Sequence, residues 1–201
     1  MSSTALVPTL VRPSNRAAAL AADVVLVALG VALMSLAAQV VIHLRWTPVP
    51  VTGQTFGALL VGGAYGARRA FVTLATYLVV GGLGFGVFAA HGSGWDVLRF
   101  SSATGGYLVG MLAAAALVGW MADRGWDRKP WRSLPTMVLG NVVIYAFGFV
   151  WLQHALGTST SQTWHLGVQP FLWGDALKIL LAAGVLPLAW SGVDKLRGHH
   201  S

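Results

Sequence analysis

Six apolar stretches, separated by short segments that hold nearly all the charge, constrain this chain more than anything else in its sequence. They cover about 18–42, 53–65, 70–88, 104–121, 134–156 and 171–190. A helix rises about 1.5 Å per residue, so about 20 apolar residues cross a hydrocarbon core of about 30 Å. Backbone N–H and C=O groups in lipid need partners within the protein, and for runs of this length that means helix. Composition points the same way. Of 201 residues, 56% are hydrophobic and 9% charged, where a soluble domain carries about 25% charged residues. The expectation is an all-α, polytopic integral membrane protein with six transmembrane helices. It divides into a basic tail over 1–17, a transmembrane domain over 18–192 and a C-terminal tail over 193–201.

Two runs are atypical. The first begins after a basic segment and passes Ser35-Leu36-Ala37, as a signal peptide would, but stays apolar to Ile42 and is read as an uncleaved span. The second holds only 13 residues, about 20 Å of helix. It follows Pro48-Val49-Pro50, where the prolines enforce an extended chain, and reads as a tilted, membrane-thinning helix or a partly re-entrant one.

Orientation follows from the basic residues. Arg12, Arg16, Arg68, Arg69, Arg124, Arg128, Lys129, Arg132, Lys195 and Arg197 fall in alternate gaps, whereas the other gaps hold only Arg45 and Arg99. Basic loops stay cytoplasmic, so both termini are placed in the cytoplasm. Six crossings keep this pattern intact and five would break it. The net charge of +7 is thus a membrane-topology signal and not a nucleic-acid footprint.

One span breaks its own apolar pattern. In Gly174-Asp175-Ala176-Leu177-Lys178, Asp175 and Lys178 lie three apart on one helix face, about 6 and 10 Å inward from Phe171. Charges at membrane depth are costly and are retained where they face a cavity or each other. The competing readings are a structural ion pair, or Lys178 reaching back to the interface. Tyr107, Tyr145 and Trp151 are candidates for a cavity wall around the pair, with packing or an interfacial belt as the alternative. Asn141 is a further candidate, or a plain interhelical hydrogen bond. There is no Cys, no Glu, no G-x-x-x-x-G-K-[ST] and no H-E-x-x-H, so thiolate chemistry, nucleotide binding by this chain alone and the common zinc motif are excluded. Ser159 and Ser161 sit in an outer loop read as flexible, with no base at fixed spacing. The chain is not read as an enzyme, and no cofactor is expected.

Four segments resemble the BioY family, the biotin-binding substrate-specific (S) components of energy-coupling factor (ECF) transporters. They are Pro48-Val49-Pro50-Val51-Thr52-Gly53-Gln54-Thr55; Tyr77-Leu78 through Gly81-Gly82-Leu83-Gly84 with Val87-Phe88-Ala89; Thr104-Gly105-Gly106-Tyr107-Leu108-Val109-Gly110; and Pro170-Phe171-Leu172-Trp173-Gly174-Asp175-Ala176-Leu177-Lys178. Ser102-Ala103 and Phe85-Gly86 depart from the Gly-Pro and Leu-Pro usual in that family.

The resemblance implies biotin as ligand. Asp175 then accepts from a ureido N–H, Lys178 donates to the ureido carbonyl, and Tyr107, Tyr145 and Trp151 pack on the bicyclic ring. Arg99, with Arg45 second, is the candidate for the carboxylate, and Gln54 closes the site from the far side. It also implies three partners: a transmembrane coupling protein, docking at a small-residue patch containing Ala28 and Ala32, and two ATPases. The alternatives are an S component for another vitamin, such as thiamine or riboflavin, and a membrane-integral enzyme or assembly subunit without a ligand.

Overall fold

A computed structural model describes residues 5–10 and 14–198. Of the sequence expectations, Arg12 and the His199-His200 end lie outside the described residues. Short helix α1 (Leu6–Leu10) precedes α2 (Arg16–Gln39), whose N-cap Asn15 accepts from the Ala18 N–H. A two-residue strand pair follows, β1 (Val41–Ile42) antiparallel to β2 (Val51–Thr52), with Val41 opposite Thr52. Then come α3 (Gln54–Tyr65), α4 (Ala67–Gly82), α5 (Gly105–Ala122), α6 (Pro130–Leu156), α7 (Thr160–Gly167) and α8 (Leu172–Gly198). Among the described residues four stretches are long and apolar enough to cross a membrane: α2, α5, α6 and the α7–α8 stretch Thr160–Lys195.

The short second run is a helix of 12 residues, about 18 Å long. Its Gly57, Ala58, Leu59, Val61, Gly62 and Gly63 are all buried, so α3 is surrounded by other helices and its length need not match the lipid. Small residues permit this enclosure: a Cβ on Gly62 would stand 2.8 Å from the Ala115 carbonyl oxygen of α5. α2 is the opposite case. Only 11% of its most apolar window is buried, and Leu20, Val24, Leu29 and Leu36 are each more than half exposed, as a helix bathed in lipid requires.

Four boundaries differ from expectation. α4 ends at Gly82 and not near Phe88, because Gly84 turns at φ 104° and releases the chain into two 3-10 turns over Ala89–His91 and Trp95–Leu98. α6 begins at Pro130, where a proline is preorganised for the first helical turn. Residues 157–161 are not a flexible loop: Ser159 and Gln162 form a capping box that starts α7. α8 runs on to Gly198, past the expected end of the sixth span near 190.

Ionic contacts pin the basic end of the bundle. Asp23, inside the first apolar run, meets Arg69 Nε at 2.6 Å and ties α2 to α4. The two acids of the 123–132 segment turn inward. Asp123 Oδ2 accepts from the Ala67 N–H at the start of α4, 3.0 Å away. Asp127, 1% exposed, accepts from Trp190 Nε1 at 2.5 Å, and burial pushes its carboxyl up to about 6.

Candidate functional site

At the other end of the bundle the helices enclose a cavity of about 200 Å3. Its wall comes from several separate stretches of the chain. Val49, Pro50 and Thr52 belong to the strand pair and its turn, and Gln54 and Thr55 to the start of α3. Phe88 and Val97 come from the irregular 83–104 segment, Tyr107, Leu108 and Met111 from α5, and Ile144 and Tyr145 from α6. Phe171, Asp175 and Lys178 complete it. The wall is mostly apolar and aromatic with polar groups gathered at one place, as in most small-molecule sites.

The polar place is the Asp175–Lys178 pair. One turn of α8 sets Lys178 Nζ 2.8 Å from Asp175 Oδ1, with Asp175 only 4% exposed. Lys178 has three protons and three acceptors: Asp175 Oδ1, the Thr52 carbonyl at 2.6 Å and Thr55 Oγ1 at 3.2 Å. Asp175 also accepts from Thr55 Oγ1 at 3.3 Å, from the Tyr145 hydroxyl at 2.6 Å and from Asn141 Nδ2 at 3.4 Å. The buried charges are therefore paired and fully hydrogen-bonded, the condition under which they are tolerable at such depth. The weakest contacts in this network are those of Thr55 and Asn141.

Gln54, 3% exposed, donates from Nε2 to the Tyr77 hydroxyl at 2.8 Å, and Tyr77 donates to the Val87 carbonyl at 2.9 Å. Tyr107 donates to the Gly167 carbonyl at 2.7 Å, which ties α5 to the end of α7. The Tyr107 and Phe171 rings meet edge to face with centroids 6.5 Å apart.

Of the residues singled out from sequence, the structure brings Asp175, Lys178, Gln54, Tyr107 and Tyr145 to one cavity. Asn141 stands behind it, against the far oxygen of Asp175, on the wall of a second groove between α6 and α8. Trp151 and Arg99 are not on the cavity wall. Trp151 Nε1 donates to the Arg99 carbonyl at 2.9 Å, and its ring packs on Phe100. The Arg99 side chain is 71% exposed and pairs with Asp96 at 2.9 Å, because the 3-10 turn directs it along the surface. Arg45 is exposed as well. Thr52, Thr55, Phe88 and Phe171 were not singled out as site residues. All four sit inside the motif segments, which was the one signal available for them. Ala28 and Ala32 are exposed on α2, while Gly30 between them packs against Thr73 of α4.

Such an arrangement defines a class: a helical membrane protein whose bundle encloses an apolar cavity with one buried ion pair in its wall. The model of the BioY family matches residues 9–195, and the chain belongs to that family. It is 35% identical over 162 residues to the probable biotin transporter BioY of Pyrococcus horikoshii, covering 81% of this chain and 92% of that one. It is 31% identical to the biotin transporter BioY of Rhizobium etli, over 80% of this chain and 89% of the relative. The fold matches a crystal structure of the S-component for biotin from an ECF-type ABC transporter with a TM-score of 0.79 at 18% identity, covering 89% and 95% of the two chains.

Proposed function

We propose that this chain takes up biotin as the S component of an ECF-type transporter, holding the vitamin in the cavity around Asp175 and Lys178. The carrying observation is the position of Thr55. Its hydroxyl lies between the two charges, 3.3 Å from Asp175 Oδ1 and 3.2 Å from Lys178 Nζ, a donor to one and an acceptor from the other. A ureido edge presents the same pair, an N–H beside a C=O. It replaces the hydroxyl without leaving either charge unpartnered, and Phe88, Tyr107 and Phe171 supply the apolar wall for the bicyclic ring. The names of the relatives support the choice of vitamin.

A panel of biotin, thiamine and riboflavin followed by thermal shift tests the proposal. Biotin alone raises the unfolding midpoint, since a ligand that binds only the folded state stabilises it by about 2.7 kcal/mol at 100 times its Kd. A shift with thiamine or riboflavin instead would reassign the vitamin, and a shift with none would remove the transport reading.

In this reading the chain crosses the cytoplasmic membrane six times with both ends inside, supported by the ten-to-two division of Lys and Arg between alternate gaps. The chain holds no Cys, so single cysteines report topology cleanly. Ser93→Cys and Ser159→Cys are labelled by an impermeant maleimide on intact cells and Ser14→Cys only after lysis; the reverse pattern would invert the orientation. Energy for transport comes from a coupling protein and two ATPases, with the exposed Ala28 and Ala32 side of α2 as the docking face.

A further inference from the structure

The segment that closes the cavity carries two non-glycine residues in the left-handed region, Ala90 at φ 52° and His91 at φ 58°. Residues held there persist where the surroundings over-determine them. Within this turn the Phe88 N–H donates to the Gly92 carbonyl at 3.0 Å and the Gly92 N–H to the Ala89 carbonyl at 3.0 Å. The Phe88 carbonyl and the His91 N–H reach outside the turn. Both are satisfied by one side chain from another element. Gln39, the last residue of α2, donates from Nε2 to the Phe88 carbonyl at 3.2 Å and accepts at Oε1 from the His91 N–H at 3.1 Å. Its Nε2 also donates to the Ser35 carbonyl at 3.1 Å. Three backbone partners dictate which end of the amide is which, so its orientation is fixed.

What this clamp holds is Phe88. The ring is 2% exposed, meets Tyr77 edge to face at 5.4 Å and fills the space over Gly81, where a Cβ would come within 2.1 Å of it. Phe88 is also cavity wall. The geometry points to Gln39 as the positioning residue that keeps Phe88 closed over the bound ligand and so sets its residence time. Gln39 is not on the cavity wall and acts through the turn it bridges. The inference rests on the biotin reading above and adds to it a residue that governs release.

Stopped-flow dissociation of biotin from the purified full chain tests it. Gln39→Leu removes both bonds and speeds dissociation about tenfold, while the association rate changes little. The unfolding midpoint without ligand stays within about 2 °C of the unaltered chain, since the turn is peripheral to the helical core. Gln39→Glu keeps an acceptor for His91 but loses the donor to Phe88, and speeds dissociation as well. Phe88→Leu speeds dissociation alone and adds little in the Gln39→Leu background, because both changes act at one ring. An unchanged dissociation rate in Gln39→Leu overturns the assignment, and additive effects of the two substitutions overturn its route through Phe88. Absence of biotin binding by the unaltered chain fails the functional reading instead, and this inference with it.

Discussion

Lys178→Met leaves the chain folded but lowers its affinity for biotin by about two to three orders of magnitude. Methionine keeps the length and apolar stem of lysine while removing the ammonium. Asp175, 4% exposed and bonded to Lys178 at 2.8 Å, is then a buried carboxylate with no cation. Breaking such a pair costs about 3–5 kcal/mol, and each 1.4 kcal/mol is a factor of ten in binding. Asp175→Asn removes the other charge and lowers affinity comparably, since an amide cannot accept from Lys178, Thr55 and Tyr145 together. The double variant separates folding from binding. It carries no charge in the cavity wall, so its unfolding midpoint recovers part of what Lys178→Met loses, while biotin binding stays lost. Unchanged affinity in both single variants would remove the pair from the binding site. Titration and thermal unfolding on the same samples give both readouts.

Gly106→Ala produces a large loss of stability from a single methyl group. A Cβ there would lie 2.2 Å from Trp151 Cβ and 2.6 Å from the Phe147 carbonyl oxygen, and the latter is backbone of the packed helix α6. Nothing flexible can yield, so α5 and α6 must separate along their most extensive contact. Overpacking of this kind costs about 1–3 kcal/mol or somewhat more. The unfolding midpoint of a chain this size then falls by about 5–10 °C. Gly184→Ala is the matched control: nothing lies within 4 Å of its Cβ position, and alanine is the better helix former. It leaves the midpoint unchanged or raises it slightly. Equal behaviour of the two variants would contradict the close α5–α6 approach.

Legibility differed from residue to residue for physical reasons. The four long spans were readable because lipid imposes a length and polarity rule that acts locally on the chain. Asp175 and Lys178 were readable because a charge in an apolar run has no structural excuse except a partner or a cavity. The enclosure of α3 was hidden in the sequence, since a 13-residue apolar run looks the same whether lipid or protein surrounds it. The turn after Gly82 was hidden because Leu83, Phe85, Val87 and Phe88 prolong the apolar signal beyond the helix end. α7 escaped because hydropathy is blind to it, although Ser159 and Gln162 spelled its capping box. Charge and a place near the outer opening point to Arg99, and neither says anything of direction: the side chain follows its 3-10 turn to Asp96. Thr52 and Thr55 carry no charge to mark them, and only the fold brings the Thr52 carbonyl and the Thr55 hydroxyl beside Lys178.

The most direct measurement is calorimetric titration of biotin into the purified, detergent-solubilised chain. A cavity built around Asp175, Lys178 and Thr55 predicts saturable one-to-one binding with a Kd below about 1 μM, a free energy of about −8 kcal/mol or better. A folded chain that gives no saturable heat with biotin would contradict it.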